Sequence, residues 1–284
     1  MMLCRADFRK GKDDLINCDC PIRLALMTEY DGTDFVGFQR QNNGRSVQGV
    51  LEKALEKVYG RPLTLYGCSR TDSGVHAKGH VSHVDVPFHI LQDKIPLALN
   101  ALLPEDVSVR KAAEVTNQFH ARFGSGGKEY VYRICNSATR PAIERRWVAH
   151  VPGYLDIDRM KCAAAVFEGE HDFSAFCAKA GLHCNPIREI RSVCVNNCVE
   201  TNLIEIRVNG KSFLYNMVRI MAGTILYAGQ NKILPEEIAE LFQTHNRRNA
   251  GKTMPAKGLT LERVFYQEDP FGKTNSYSDI SEHS

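Results

Sequence analysis

Ser46-Val47-Gln48-Gly49-Val50-Leu51-Glu52-Lys53-Ala54-Leu55-Glu56-Lys57-Val58-Tyr59-Gly60 is the stretch from which the fold can be worked out. Its apolar residues Val47, Val50, Leu51, Ala54, Leu55 and Val58 return at steps of three and one, the period of a helix that buries one face. Ser46 supplies an N-cap oxygen and Gly60 can adopt the left-handed conformation that closes a helix, so both ends are marked. Upstream, Ile22-Arg23-Leu24-Ala25-Leu26-Met27 runs like a strand, and Tyr30-Asp31-Gly32-Thr33 breaks it with turn residues. Downstream come strand-like runs at 62–68 and 79–86, a helical pattern over 92–103 stopped by Pro104, and a strand over Val107–Val109. The first half reads β-α-β-β-α-β.

A similar order begins again at Glu129-Tyr130-Val131-Tyr132-Arg133-Ile134, with helical patterns over 156–168 and 213–228 separated by strands near 190–196 and 203–208. A further helix opens at Pro235 and turns Ile238, Leu241 and Phe242 inward, and a last strand runs near 260–266. Together these predict an α+β protein of two tandem split β-α-β (RRM- or ferredoxin-like) subdomains, with mainly antiparallel sheets and a cleft between them. Pattern alone leaves open whether the sheets join side by side or pack separately. Residues 20–117 form the N-terminal subdomain and 118–267 the C-terminal one, with a flexible stretch expected at Gly124-Ser125-Gly126-Gly127. Residues 1–19 and 268–284 are polar and aperiodic, and are expected to be tails.

The 284 residues are 43% hydrophobic, which supplies a core for one large domain or two ordinary ones. Thirty-six Lys and Arg against 33 Asp and Glu leave a net charge of +3, so any basic surface has to be local. The ten cysteines contain no CxxC pair and therefore no zinc-finger spacing. Free structural thiols are expected, with Cys18-Asp19-Cys20 and the Cys194/Cys198 pair as metal or redox alternatives. No leader and no apolar run able to cross a bilayer is read, so the expected setting is the reducing cytoplasm, with no membrane attachment.

Cys68-Ser69-Arg70-Thr71-Asp72-Ser73-Gly74-Val75-His76-Ala77 joins two predicted strands and crowds an arginine, an aspartate and a histidine into one loop. Local chemistry alone gives Asp72 a routine job, capping a turn by accepting nearby backbone N–H groups. His76, His80 and His83 raise a metal-dependent hydrolase as a rival. In a strand, however, His83 points away from the other two, and no glutamate follows His76 as in a zinc-protease helix. Neither a metal nor a cofactor is expected.

Ser69–Ala77 resembles the aspartate motif of TruA-type tRNA pseudouridine synthases, usually Gly-Arg-Thr-Asp-x-Gly-Val-His-Ala. Tyr30-Asp31-Gly32-Thr33 with Gly37-Phe38-Gln39-Arg40-Gln41 resembles the family's first motif, and Phe119-His120-Ala121-Arg122-Phe123 its junction segment. Lys128-Glu129-Tyr130-Val131-Tyr132, His171-Asp172-Phe173-Ser174-Ala175-Phe176 and Asn216-Met217-Val218-Arg219-Ile220-Met221-Ala222-Gly223 resemble further family segments, in the family's order, across residues 22–266. There are two departures: Ser69 stands where the family usually has Gly, and Phe38 where it often has Trp.

The resemblance implies an isomerase that converts uridine to pseudouridine at positions 38–40 of the tRNA anticodon stem-loop, as a homodimer, with Asp72 as nucleophile. The N1–C1′ bond breaks, the uracil rotates and C5 joins C1′. A carboxylate can assist by adding to the base, by adding to the sugar, or through a glycal-like intermediate. A carboxylate in a dry site needs a nearby cation to stay ionised. Arg219 can be that cation, because Phe213, Leu214, Met217, Val218, Ile220, Met221, Ile225 and Leu226 surround it with apolar residues and leave a buried guanidinium in need of a partner.

By resemblance Tyr130 is the tyrosine that stacks on the uracil or takes the C5 proton, and the high pKa of a phenol suits stacking better. Tyr132, on the same strand face, is assigned to the core. Arg70 is the candidate to stabilise the gap left by a flipped base. His76 is given a supporting or RNA-contacting role, and Arg40 and Gln41 an RNA-binding one. Local basic groups at Arg140, Arg145 and Arg146, at Arg188 and Arg191, and at Arg247, Arg248 and Lys252 are candidates for phosphate contact. The remaining alternative is a non-catalytic RNA-binding protein of RRM-like architecture.

Overall fold

The computed structural model describes residues 21–178, 181 and 185–272. The expected N-terminal tail, most of the C-terminal one and the Cys18-Asp19-Cys20 alternative lie outside the described residues. The N-terminal half comprises β1 (Ile22–Tyr30), α1 (Val47–Tyr59), β2 (Tyr66–Gly67), β3 (His76–Val86), α2 (Lys94–Asn100) and β4 (Val107–Val115). The C-terminal half comprises β5 (Ser125–Cys135), β6 (Ala149–His150), α3 (Ile157–Ala165), β7 (Gly169–Asp172), β8 (Ile187–Cys198), β9 (Leu203–Gly210), α4 (Met217–Gly229), α5 (Pro235–Thr244) and β10 (Leu259–Tyr266).

All ten strands join one sheet, in the order β4-β1-β3-β10-β5-β9-β8-β7, with β2 added to β3 and β6 to β5. The pairing is antiparallel except where β6 meets β5 and where β10 meets β3. The question left open by the pattern is thus answered: the sheets join edge to edge. The seam is a parallel pairing of only two residues, Thr260 with His76 and Leu261 with Ala77. Gly79 keeps the two backbones close beyond it, since a Cβ there would lie 2.7 Å from the Glu262 carbonyl oxygen.

One sheet face and the helices enclose the core, in which Leu24, Leu26, Leu51, Leu55, Ile95 and Leu99 of the first half are almost wholly buried. In the second half α4 packs on β5 and against α3, burying Tyr132, Ile134, Ile206, Ile220 and Met221. The opposite face around the seam is a charged lattice. Arg133 pairs with Glu205 (2.8 Å) and Glu262 (3.2 Å), Lys78 with Glu262 (2.9 Å) and Arg207 with Glu129 (2.8 Å).

Several elements differ from expectation for identifiable reasons. The strand read at 62–68 shrinks to two residues because α1 takes its hydrogen bonds: Leu65 N–H donates to Glu52 Oε1 (3.1 Å), and Gln48 Nε2 donates to the Leu65 carbonyl (3.0 Å). The helix read at 213–228 begins only at Met217, because Asn216 is left-handed at φ 61°. Gly126 and Gly127 are not a flexible linker but part of β5; a Cβ on Gly127 would lie 2.8 Å from Arg191 Nη1 and 3.1 Å from the Gly210 carbonyl oxygen. Among the described residues, Cys68, Cys135, Cys162, Cys177, Cys194 and Cys198 are free thiols, and no helix is long and apolar enough to cross a membrane.

Candidate active site

The loop between β2 and β3 is held from beneath by residues 30–38. Phe38 N–H donates to the Thr71 carbonyl (3.2 Å), Ser73 Oγ donates to the Phe35 carbonyl (3.1 Å), and the Tyr30 and Thr71 hydroxyls share a hydrogen bond of 2.8 Å. Gly37, at φ +118°, allows this approach, since a Cβ there would stand 2.5 Å from the Thr71 carbonyl oxygen. The turn itself is closed by backbone, with Val75 N–H donating to the Asp72 carbonyl at 3.1 Å. The Asp72 carboxylate therefore has no capping work. Its hydrogen bond among the described residues comes from Arg219 Nη1, to Oδ2 at 3.2 Å.

Arg219 is fixed in three ways. Nη1 also donates to Asn216 Oδ1 (2.6 Å), and Nε donates to the Met254 carbonyl (2.8 Å), while Met254 N–H donates back to the Arg219 carbonyl (3.2 Å). The segment carrying Met254 lies this close to α4 because residue 223 is a glycine, where a Cβ would fall 1.9 Å from the Lys252 carbonyl oxygen. The side chains of Arg219 and Asp72 keep only 17% and 21% exposure. Burial raises the Asp72 carboxyl above its ordinary range, and Arg219 offsets only part of that rise.

Tyr130 enters from β5 with 7% exposure, its ring meeting the Phe213 edge at 5.1 Å and 84°. Burial pushes its phenol well above the ordinary value; Ser69 works against the rise and the Asp72 charge adds to it. Tyr132 is fully buried and donates its hydroxyl proton to the Pro255 carbonyl at 2.8 Å, a core role.

The other expected site residues are placed differently. Arg70 is exposed and its side chain has no partner among the described residues. His76 is buried: its Nε2 lies 2.9 Å from the Arg146 carbonyl, so Nε2 donates, and Nδ1 accepts from Gly32 N–H at 3.0 Å. Burial lowers the His76 pKa, and the Asp31 carboxylate 3.1 Å away offsets this in part. Arg40 and Gln41 are exposed, Arg40 reaching Glu52 Oε2 at 2.9 Å and Gln41 donating to the Val36 carbonyl at 3.4 Å. His76, His80 and His83 do not converge, and among the described residues no three His, Cys, Asp or Glu side chains gather as a metal would require.

Neither Asn216 nor Met254 is given a role in this site by the sequence, which marks Phe213 only as an apolar neighbour of Arg219. Asn216 carried a signal, an amide three residues before a buried arginine at the mouth of a helix. The Met254 contribution is a backbone carbonyl and leaves no trace in side-chain pattern.

A partly buried acid and guanidinium meeting where two halves of an α+β sheet join, beside a buried tyrosine, agree with a family model described as tRNA pseudouridine synthase, which matches residues 26–124 and 163–267. The chain belongs to that family. It is an isomerase that converts tRNA uridine to pseudouridine, which sets aside the non-catalytic RRM-like alternative. The tRNA pseudouridine synthase A of Ruminiclostridium cellulolyticum is 45% identical over 244 residues, 86% of this chain and 99% of that protein. The Bacillus pumilus protein of the same name is 43% identical over 247 residues, again 86% and 99%. A solved structure titled as a Cbf5-Nop10-Gar1 complex overlaps 85% of this chain and 50% of its own at a TM-score of 0.36 and 12% identity, a likeness too loose to bear on function.

Proposed function

We propose that this synthase acts on uridines at positions 38–40 of the tRNA anticodon stem-loop, with Asp72 as the nucleophile. The observation that carries the assignment is the Arg219–Asp72 contact of 3.2 Å, which joins the two halves of the chain at a partly dehydrated carboxylate. A carboxylate with little water around it is a better nucleophile, and a guanidinium fixed by two other acceptors keeps it oriented and charged. The isomerisation balances without a co-reactant: C5 loses a proton, N1 gains one, and the glycosidic carbon changes partner from N1 to C5.

Tyr130 takes the stacking role on the uracil, since its phenol is held protonated far above neutral pH. Arg70, exposed and without a partner among the described residues, occupies the space left by the flipped base. His76 is a supporting residue, because both of its ring nitrogens are engaged by backbone. Arg40 and Gln41 extend the RNA contact across the exposed end of the first motif. Residues 20–117 and 118–267 are taken as two split β-α-β subdomains, with strand orders β4-β1-β3-β2 and β10-β5-β9-β8 and the RNA cleft over their junction. A homodimer in the cytoplasm completes the assignment.

The test is to map pseudouridine in tRNA from cells lacking the protein, then restore the wild type or Asp72→Ala. The wild type should restore modification of the anticodon arm and Asp72→Ala should not. Modification restored by Asp72→Ala would remove Asp72 from the chemistry.

A further inference from the structure

Both carbonyls that flank Arg70 are held, by groups from two different elements. The Thr71 carbonyl accepts from Phe38 N–H at 3.2 Å, and the Ser69 carbonyl lies 3.0 Å from His80 Nε2. A carbonyl only accepts, so His80 donates to it from Nε2. His80 has no exposed surface, and its ring stacks on Phe38 at 3.8 Å and 21°. The stack is closed on its third side by Gly67, where a Cβ would fall 2.4 Å from Phe38 Cε1 and 2.9 Å from His80 Cε1. Cys68 completes the surroundings: burial pushes its thiol up, but His80 and Lys128 bring it down to about 7.

Resting on the assignments of Arg70 and Asp72 above, the geometry points to His80 as a positioning residue for the pseudouridylation reaction. His80 and Phe38 form one clamp: their rings stack, and the His80 Nε2–H and the Phe38 backbone N–H grip the carbonyls of the residues on either side of Arg70. The grip is on backbone, which leaves the Arg70 side chain free for RNA while setting the direction in which Asp72, one residue past the clamp, leaves toward Arg219. His80 is buried beneath the loop and touches no substrate. An Nε2–H donor at this place is a device for orienting the loop, distinct from the metal ligand that three neighbouring histidines suggest.

The experiment uses the full chain with His80→Leu, which removes the donor, His80→Asn, an amide too short to reach Ser69, and His80→Gln, an amide that returns an N–H at the reach of Nε2. Single-turnover pseudouridine formation and tRNA binding are measured at a temperature where circular dichroism shows each variant folded. His80→Leu and His80→Asn should convert bound tRNA about 10- to 100-fold more slowly with affinity for tRNA retained, and His80→Gln should recover most of the rate. If His80→Leu does not fold, His80→Asn carries the comparison. A His80→Gln as slow as the others, or a donor-less variant as fast as wild type, would overturn the inference. Asp72→Ala in the same assay separates the two assignments: an active Asp72→Ala overturns the nucleophile and His80's role with it, whereas an inactive one beside a fast His80→Leu overturns the clamp alone.

Discussion

Arg219 reaches across 147 positions of sequence to donate to Asp72 at 3.2 Å, yet the carboxyl it serves still titrates above the ordinary aspartate range. The guanidinium is shared among Asp72, Asn216 Oδ1 and the Met254 carbonyl, and what it returns to the carboxylate is less than dehydration removes. The fold therefore holds the ionised carboxylate less favourably than water would.

That imbalance predicts an unusual mutant. With a folded-state pKa above the unfolded one, the ionised carboxyl weakens the fold at every pH above the folded value, and the penalty disappears as pH falls below the unfolded value. Asparagine resembles the protonated acid. Asp72→Asn should be inactive yet melt at a higher temperature than wild type at pH 7, with the difference closing near pH 3. Thermal melts at the two pH values check this, and a lower midpoint for Asp72→Asn at pH 7 contradicts it.

Asn216 combines a left-handed backbone with an acceptor for Arg219, and two substitutions pull these apart. Asn216→Gly and Asn216→Ala both lose Oδ1, so both should lose turnover, by about tenfold or more. Only alanine also strains the backbone, at about 1–2 kcal/mol, visible as a lower denaturation midpoint. Full activity in Asn216→Gly would show that Arg219 holds its position without the amide.

Arg70 has no partner to lose among the described residues, so Arg70→Ala should leave the melting temperature in place, within about 0.5 kcal/mol of wild-type stability. Single-turnover pseudouridine formation should fall steeply, and less so on a substrate in which the target uridine is already unpaired. Equal losses on paired and unpaired substrates would deny it a part in base flipping.

Gly223→Ala drives a methyl group to within 1.9 Å of the Lys252 carbonyl oxygen, and one of the two segments has to move. A cost of about 1–3 kcal/mol is expected. One segment carries Arg219 and the other the Met254 carbonyl, so whichever moves disturbs their contact, and activity should drop further than the folded fraction does. Activity that follows the folded fraction alone would separate the 251–254 segment from Arg219.

What could be read in the sequence is what depends on local period and charge. The helix at α1 is bounded by Ser46 and Gly60 as its caps require, and Arg219 among apolar neighbours announced a need for an anion that Asp72 meets. What escaped was contact between segments distant in sequence. Strand β2 is cut short by Glu52 and Gln48 side chains reaching from α1, a competition invisible to a strand pattern at 62–68. The edge-to-edge joining of the halves rests on two residue pairs between 76–77 and 260–261, too few to leave a periodicity. The glycines at 126–127 looked like slack in the chain because their neighbours at Arg191 and Gly210 are known only once the sheet is built.

Strand β10 follows the other nine strands in the chain, yet it lies near the middle of the sheet, between β3 and β5. A nascent chain stalled ahead of residue 259 would carry two raw strand edges, templates for aggregation with no mate on the ribosome. Quality control thus has a simple criterion for a closed sheet here, and translation products that stop short of β10 should be insoluble or degraded instead of weakly active.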